Sequence, residues 1–155
     1  MNTLLRTNGT VTPSCSKCHI TYTIHLHQEC RELHVEFAYS PKKLEDDARA
    51  EALILEALPQ FILQEHLGSY REHYMDFLPL QNLLTLSFDD EHGFRGAGHR
   101  HDSVQHMIIA ADEASPGLIP GIVPRGQLRL MINVHCVVSE ECRYQLHVWE
   151  AGEAK

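Results

Sequence analysis

The sequence predicts a mainly β protein, an antiparallel jelly-roll-like β-sandwich carrying one helical insertion. Three observations lead there. Six stretches alternate apolar and polar residues with period two, the mark of strands that have one dry and one wet face. None is a continuous apolar run of the kind that a doubly wound parallel sheet buries on both sides. Clusters rich in Gly and Pro separate the stretches, and a single segment, residues 42–67, changes to a helical period.

In chain order, residues 1–14 are polar and read as a flexible N-terminal arm, with an edge extension as the alternative. Over residues 19–27, Ile20, Tyr22, Ile24 and Leu26 share one face and His19, Thr21, Thr23, His25 and His27 the other. In residues 33–39, Leu33, Val35, Phe37 and Tyr39 face opposite to His34, Glu36 and Ala38, and this strand could form a hairpin with the one before it. The insertion follows. Leu44, Ala48, Ala52, Leu55 and Leu58 can share a helical stripe that Leu53 and Ile54 widen, Glu45, Asp46 and Asp47 suit the positive end of the helix, and Pro59 should stop or kink it. A second helical piece is expected to end at Gly68, and residues 69–79 read as either a short helix or an irregular cover.

The stretch 81–101, QNLLTLSFDDEHGFRGAGHRH, reads as the strand and loop around which the rest is arranged: Leu84, Leu86 and Phe88 alternate with Thr85 and Ser87, and a loop with Gly93, Gly96 and Gly98 follows. Residues 104–110 form a short strand, and residues 112–125 a long loop with turn signals at Pro116-Gly117 and Pro120-Gly121. The longest clean strand runs from Gly126, with Leu128, Leu130, Ile132, Val134 and Cys136 on one parity. In the last strand Tyr144, Leu146 and Val148 alternate with Arg143, Gln145, His147 and Trp149, and residues 151–155 are a tail. One domain over residues 15–150 accounts for the pattern.

The formal charge of -8 argues against a nucleic-acid partner, because the 13 Lys and Arg residues are scattered rather than clustered. No apolar run approaches the roughly 20 residues of a membrane span, and Leu4-Leu5 gives way at once to Arg6, Thr7 and Asn8, so no membrane partner and a cytoplasmic location are expected. Five cysteines, an odd number, do not make a secreted disulfide framework, although Cys136 and Cys142 could pair if oxidised. Cys15 and Cys18 form C-x-x-C, half of a zinc motif, with thiols opening a sheet strand as the plainer reading.

Twelve histidines prompt a search of spacing. His99 and His101, extended, direct both rings to one side, and His135 is a candidate third ligand for a divalent metal such as zinc. Arg95 and Arg100 flank the same glycines and could bind a carboxylate or phosphate. The alternative is that these histidines brace the loop backbone and that the arginines pair with Asp89, Asp90 or Glu91. Gly93, Gly96, Gly98, Pro116 and Pro120 shape the loop, the prolines either walling a pocket or capping the sandwich. No serine stands in a nucleophile elbow, and Cys136 lies on the apolar parity.

Asn82 to His101, the loop Ser115 to Pro120 with the Gly126 turn, Asn133-Val134-His135 and Cys142-Arg143-Tyr144 together resemble one family module. It is the β-sandwich domain that precedes the catalytic domain in some metal-dependent hydrolases of the polymerase-and-histidinol-phosphatase (PHP) type, and the resemblance spans roughly residues 33–149. It implies a jelly-roll-like sandwich that is accessory to catalysis or used for binding. His25-Leu26-His27 has the H-x-H form of that family's catalytic domain but stands before the sandwich, so no metal role carries over to it.

The functional expectation is a non-catalytic or accessory β-sandwich protein binding a ligand or metal at the 89–102 loop, less an enzyme than a binding protein. Its expected partners are a second copy in a homodimer or a separate catalytic protein. The alternatives are a small metal-dependent hydrolase or related enzyme, and a structural, dimer-forming protein that buries the 44–58 stripe or the face near His135 and Met131.

Overall fold

A computed structural model describes residues 1–98 and 101–152. The fold is mainly β. Two antiparallel four-stranded sheets pack together, and short helices lie between the third and fourth strands. The strands are β1 (Asn2–Val11), β2 (Cys18–Leu26), β3 (Glu32–Ser40), β4 (Leu83–Asp90), β5 (Gly93–Gly98), β6 (Val104–Ala110), β7 (Gly126–Cys136) and β8 (Cys142–Glu150). One sheet has the order β1-β8-β3-β6 and the other β2-β7-β4-β5. The pairing is nested: first with eighth, second with seventh, third with sixth, fourth with fifth.

The alternation read from the sequence sets which face points in. Leu33, Val35, Phe37, Leu146 and Val148 from the first sheet meet Leu86, Phe88, Leu128, Leu130 and Ile132 from the second, and all are essentially sealed from water. Each such side chain contributes about 1.5–3 kcal/mol by leaving water.

Several expectations are corrected. The arm expected over residues 1–14 is largely strand β1, paired along β8 from Asn2 opposite Glu150 to Val11 opposite Cys142; the edge-extension alternative is what forms. β2 and β3 are not a hairpin, since β2 pairs with β7 in one sheet and β3 with β6 and β8 in the other. The glycine loop contains a strand, β5, at the edge of the second sheet beside β4.

The helical insertion begins later and ends later than residues 42–67. Helix α1 (Asp47–Phe61) starts where the Asp46 carboxylate accepts from the Arg49 amide at 3.0 Å. Its buried stripe is Ala50, Ile54 and Leu58; Ile54 and Leu58 belong to the expected stripe, but Ala48 and Ala52 face solvent and Ala50 takes the buried place. Pro59 lies in the final turn, where its missing N–H forfeits one bond, and the helix continues to Phe61. Gly68 sits inside a second helix, α2 (Leu67–Glu72), and a 3-10 turn over Tyr74–Phe77 completes the insertion. No helix among the described residues is long and apolar enough to cross a membrane.

Candidate functional site

The 89–102 segment is braced internally. Arg95 is almost fully buried, and its Nη1 donates to Asp90 Oδ2 at 2.5 Å. Its Nη2 donates to the carbonyls of Ile119 and Gly121, both at 2.9 Å, and Nε donates to Ile119 at 3.3 Å. With its fork spent in this way Arg95 offers no open anion site. It ties the Pro116–Pro120 loop to the second sheet, the pairing with Asp90 that the sequence left open. That loop lies along the outer edge of β5: the Ala97 amide donates to the Gly117 carbonyl and the Ile119 amide to the Arg95 carbonyl. Pro116 and Pro120 are exposed on this cap. A Cβ at Gly96, whose φ is +111°, would collide with the Gly117 carbonyl, so close approach of the loop requires glycine there. Gly93, φ +122°, turns β4 into β5, and Gly98 ends β5 against the Met107 sulfur.

Of the expected metal ligands, His99, like Arg100, lies outside the described residues. His101 is exposed after β5, and His135 Nε2 is 2.8 Å from the Thr85 hydroxyl on the outer face of the second sheet. Among the described residues no group of three or more His, Cys, Asp or Glu side chains is arranged to hold an ion. Cys136 and Cys142 are free thiols, as are Cys15 and Cys18. The Cys15 thiol is held below its ordinary pKa, chiefly by the Thr12 backbone amide.

The richest constellation lies elsewhere, on the outer face of the β1-β8-β3-β6 sheet. Register aligns one cross-strand row, Arg6 opposite His147, His147 opposite Glu36, and Glu36 opposite His106. The adjoining row pairs Trp149 with Thr3 on one side and His34 on the other. The rings form a ladder: His147 and Trp149 have centroids 4.6 Å apart, Trp149 and His34 5.1 Å, and His34 and His106 5.1 Å, all near parallel. His34 Nε2–H donates to Glu32 Oε1 at 2.6 Å, and His34 Nδ1 is 2.9 Å from His106 Nε2. A carboxylate only accepts, so His34 carries its proton on Nε2; when neutral it accepts at Nδ1 from His106. Glu32, His34 and His106 thus form a hydrogen-bonded chain from a carboxylate to an exposed imidazole. Arg6 Nη2 meets the His147 ring at 3.2 Å.

Beside this ladder lies a depression of about 410 Å³. Ala38, small and half-buried, sits in it between Gln145 and Val104, its cross-strand partners, while Arg6, Asn8, Glu36 and His106 line the sides. Donors and acceptors of both charges therefore surround one hollow, next to rings that are already ordered. Sequence periodicity had put Glu36, Ala38, Gln145 and His147 on wet faces, but it carries no information on which strands adjoin. The signal available in the sequence was the excess of His, Glu and Gln on those faces.

No family model matches the chain, and no curated protein matches it. A crystal structure of a protein from Sulfurospirillum deleyianum is similar over 95% of this chain and 99% of that one, at 7% identity and a TM-score of 0.32, which is too low for any conclusion about fold or function.

Proposed function

We propose that the chain is a jelly-roll β-sandwich that binds a small polar ligand on the outer face of its β1-β8-β3-β6 sheet and performs no chemistry of its own. The strand order and nested pairing are those of two Greek keys rolled together, which supports the jelly-roll reading. The observation that carries the binding reading is the Arg6–His147–Glu36–His106 row beside the Ala38 hollow. A ligand there meets a cation, an anion, two amides and imidazole edges within one depression. That set suits a molecule with many hydroxyl or amide groups, such as an oligosaccharide, better than a hydrocarbon. An accessory role beside a separate catalytic protein fits this face, and it fits the resemblance to the sandwich module of PHP-type hydrolases.

The test is chemical-shift mapping of the labelled protein against neutral oligosaccharides, amino acids and dicarboxylates. Saturable shifts should gather on Arg6, Glu36, His106, Gln145 and His147 for one class. Glu36→Gln and His106→Ala should each weaken binding about tenfold or more, the scale of a lost hydrogen bond to a charged or fixed polar group. Shifts gathered on another surface, or none with any class, would remove the proposal. Turnover of the bound compound, lost in His106→Ala, would replace it with the enzyme reading through the Glu32–His34–His106 chain.

A further inference from the structure

We propose that a second site, the apolar cavity beneath the helical insertion, takes the hydrocarbon chain of an amphiphilic anion whose carboxylate or phosphate head group is held by Arg49. This inference does not rest on the polar sheet face. The cavity measures about 550 Å³ and lies between α1, the Tyr74–Phe77 turn and the segment after β7. Its walls include Leu53, Ala57, Phe77 and Val137, and its base the buried Ile54 and Leu58. Such a volume is in the range of small-molecule sites, which combine apolar walls with a few placed polar groups.

Among the described residues Arg49 is the one charged side chain on this lining. Its Nε donates to the Val138 carbonyl at 3.2 Å, which fixes the guanidinium at the lip. Its Nη nitrogens make no ion pair or hydrogen bond with the described residues. The neighbouring Asp46 carboxylate is engaged by the Arg49 backbone amide at the start of α1. Charge complementarity therefore selects an anionic head, and the planar fork suits a carboxylate or a phosphate. Phe61 is 79% exposed beside the opening, so the cavity is open to solution.

Titration calorimetry with octanoate, decanoate and dodecanoate, each as monomers, tests the site. Affinity should rise about fourfold with each added methylene until the cavity is full. Decanoate and decyl phosphate should each bind about tenfold or more tighter than decylammonium. Arg49→Gln should abolish that preference and keep the chain-length increments. Ala57→Phe, which fills the cavity from a half-buried position on α1, should abolish binding while circular dichroism and melting remain those of the parent chain. Equal affinity of decylammonium with decanoate and decyl phosphate would overturn the anionic-head assignment. No dependence on chain length, or unchanged binding in Ala57→Phe, would overturn the site. So would a parent protein of twofold mass that Ala57→Phe converts to single chains, because a second copy would then be the occupant.

Discussion

Arg95 shows how one side chain can decide what a segment does. It sits with Asp90 in a nearly dry environment, and each charge is tolerated because the other is present. Arg95→Ala strands a buried carboxylate and removes several bonds to the 119–122 backbone. The expected loss is about 3–5 kcal/mol in denaturant unfolding, whereas Asp90→Leu with Arg95→Met should lose much less because no lone charge remains. A single variant within about 1 kcal/mol of the parent would contradict this role. The sequence made the pairing with Asp90 available as an alternative. It did not make Arg95's carbonyl partners available, because Ile119 and Gly121 lie 24 and 26 residues away. Asn82 was equally hidden. It is fully buried, donates to the Pro41 carbonyl and the Ser139 hydroxyl, and accepts from the Val138 amide, clasping the start of the insertion to the turn before β8.

Elements were legible where side chains alternated strongly. β2, β3, β4, β7 and β8 follow from their apolar positions, and Phe88 and Ile132 are buried as the alternation requires. β1 and β5 were not legible for physical reasons. In NTLLRTNGTV the inward positions between Leu5 and Val11 are Thr7 and Gly9, so the apolar signal fades, and a register shift between Thr3 and Leu5 breaks the period. GFRGAG has almost no side chains to alternate. For α1 the pattern announced the helix and its Ile54 and Leu58 contacts but not which alanines turn inward, because Ala occurs on several faces and the Asp46 cap sets where the turns begin. Asp46→Ala should lower stability by about 0.5–2 kcal/mol. Hydrogen exchange should speed up for the amides of α1 and leave those of β4 and β7 unchanged, because the insertion packs as its own small cluster around Ile54, Leu58 and Leu67. Uniform loss of protection would refute that independence.

At the scale of the molecule, period two tells which way a side chain faces and not which strand lies beside it. The ring ladder on the outer face of the first sheet exists only because β3 lies between β8 and β6, so His34, His106, His147 and Trp149 could be placed on wet faces but not together. The closed interior also shapes the response to alkali. Cys30, sealed where its segment exchanges backbone bonds with Val123, has its thiol pKa pushed up to about 11 by burial, against an ordinary 9.0. The folded state thus favours the neutral thiol. The stabilisation is complete below pH 9, where the unfolded chain's thiol is also neutral, and is lost as pH rises toward 11. Denaturation midpoints should fall across that interval, and Cys30→Ala should make the fall shallower. Cys136, Cys142 and Tyr144, which burial also shifts upward, keep part of the slope. An unaltered slope in the variant would exclude Cys30 as a contributor.

The nested pairing bears on how the chain comes into being. β1, β2 and β3 each have all their sheet partners among β6, β7 and β8, and only β4 and β5 are neighbours in both sequence and sheet. During synthesis the first half leaves the ribosome with its strand edges unmatched, and no ladder beyond the β4–β5 hairpin can form until the second half arrives. A nascent chain of this design spends most of its translation as an adhesive intermediate, so its yield in a cell depends on being shielded until the last strand is made.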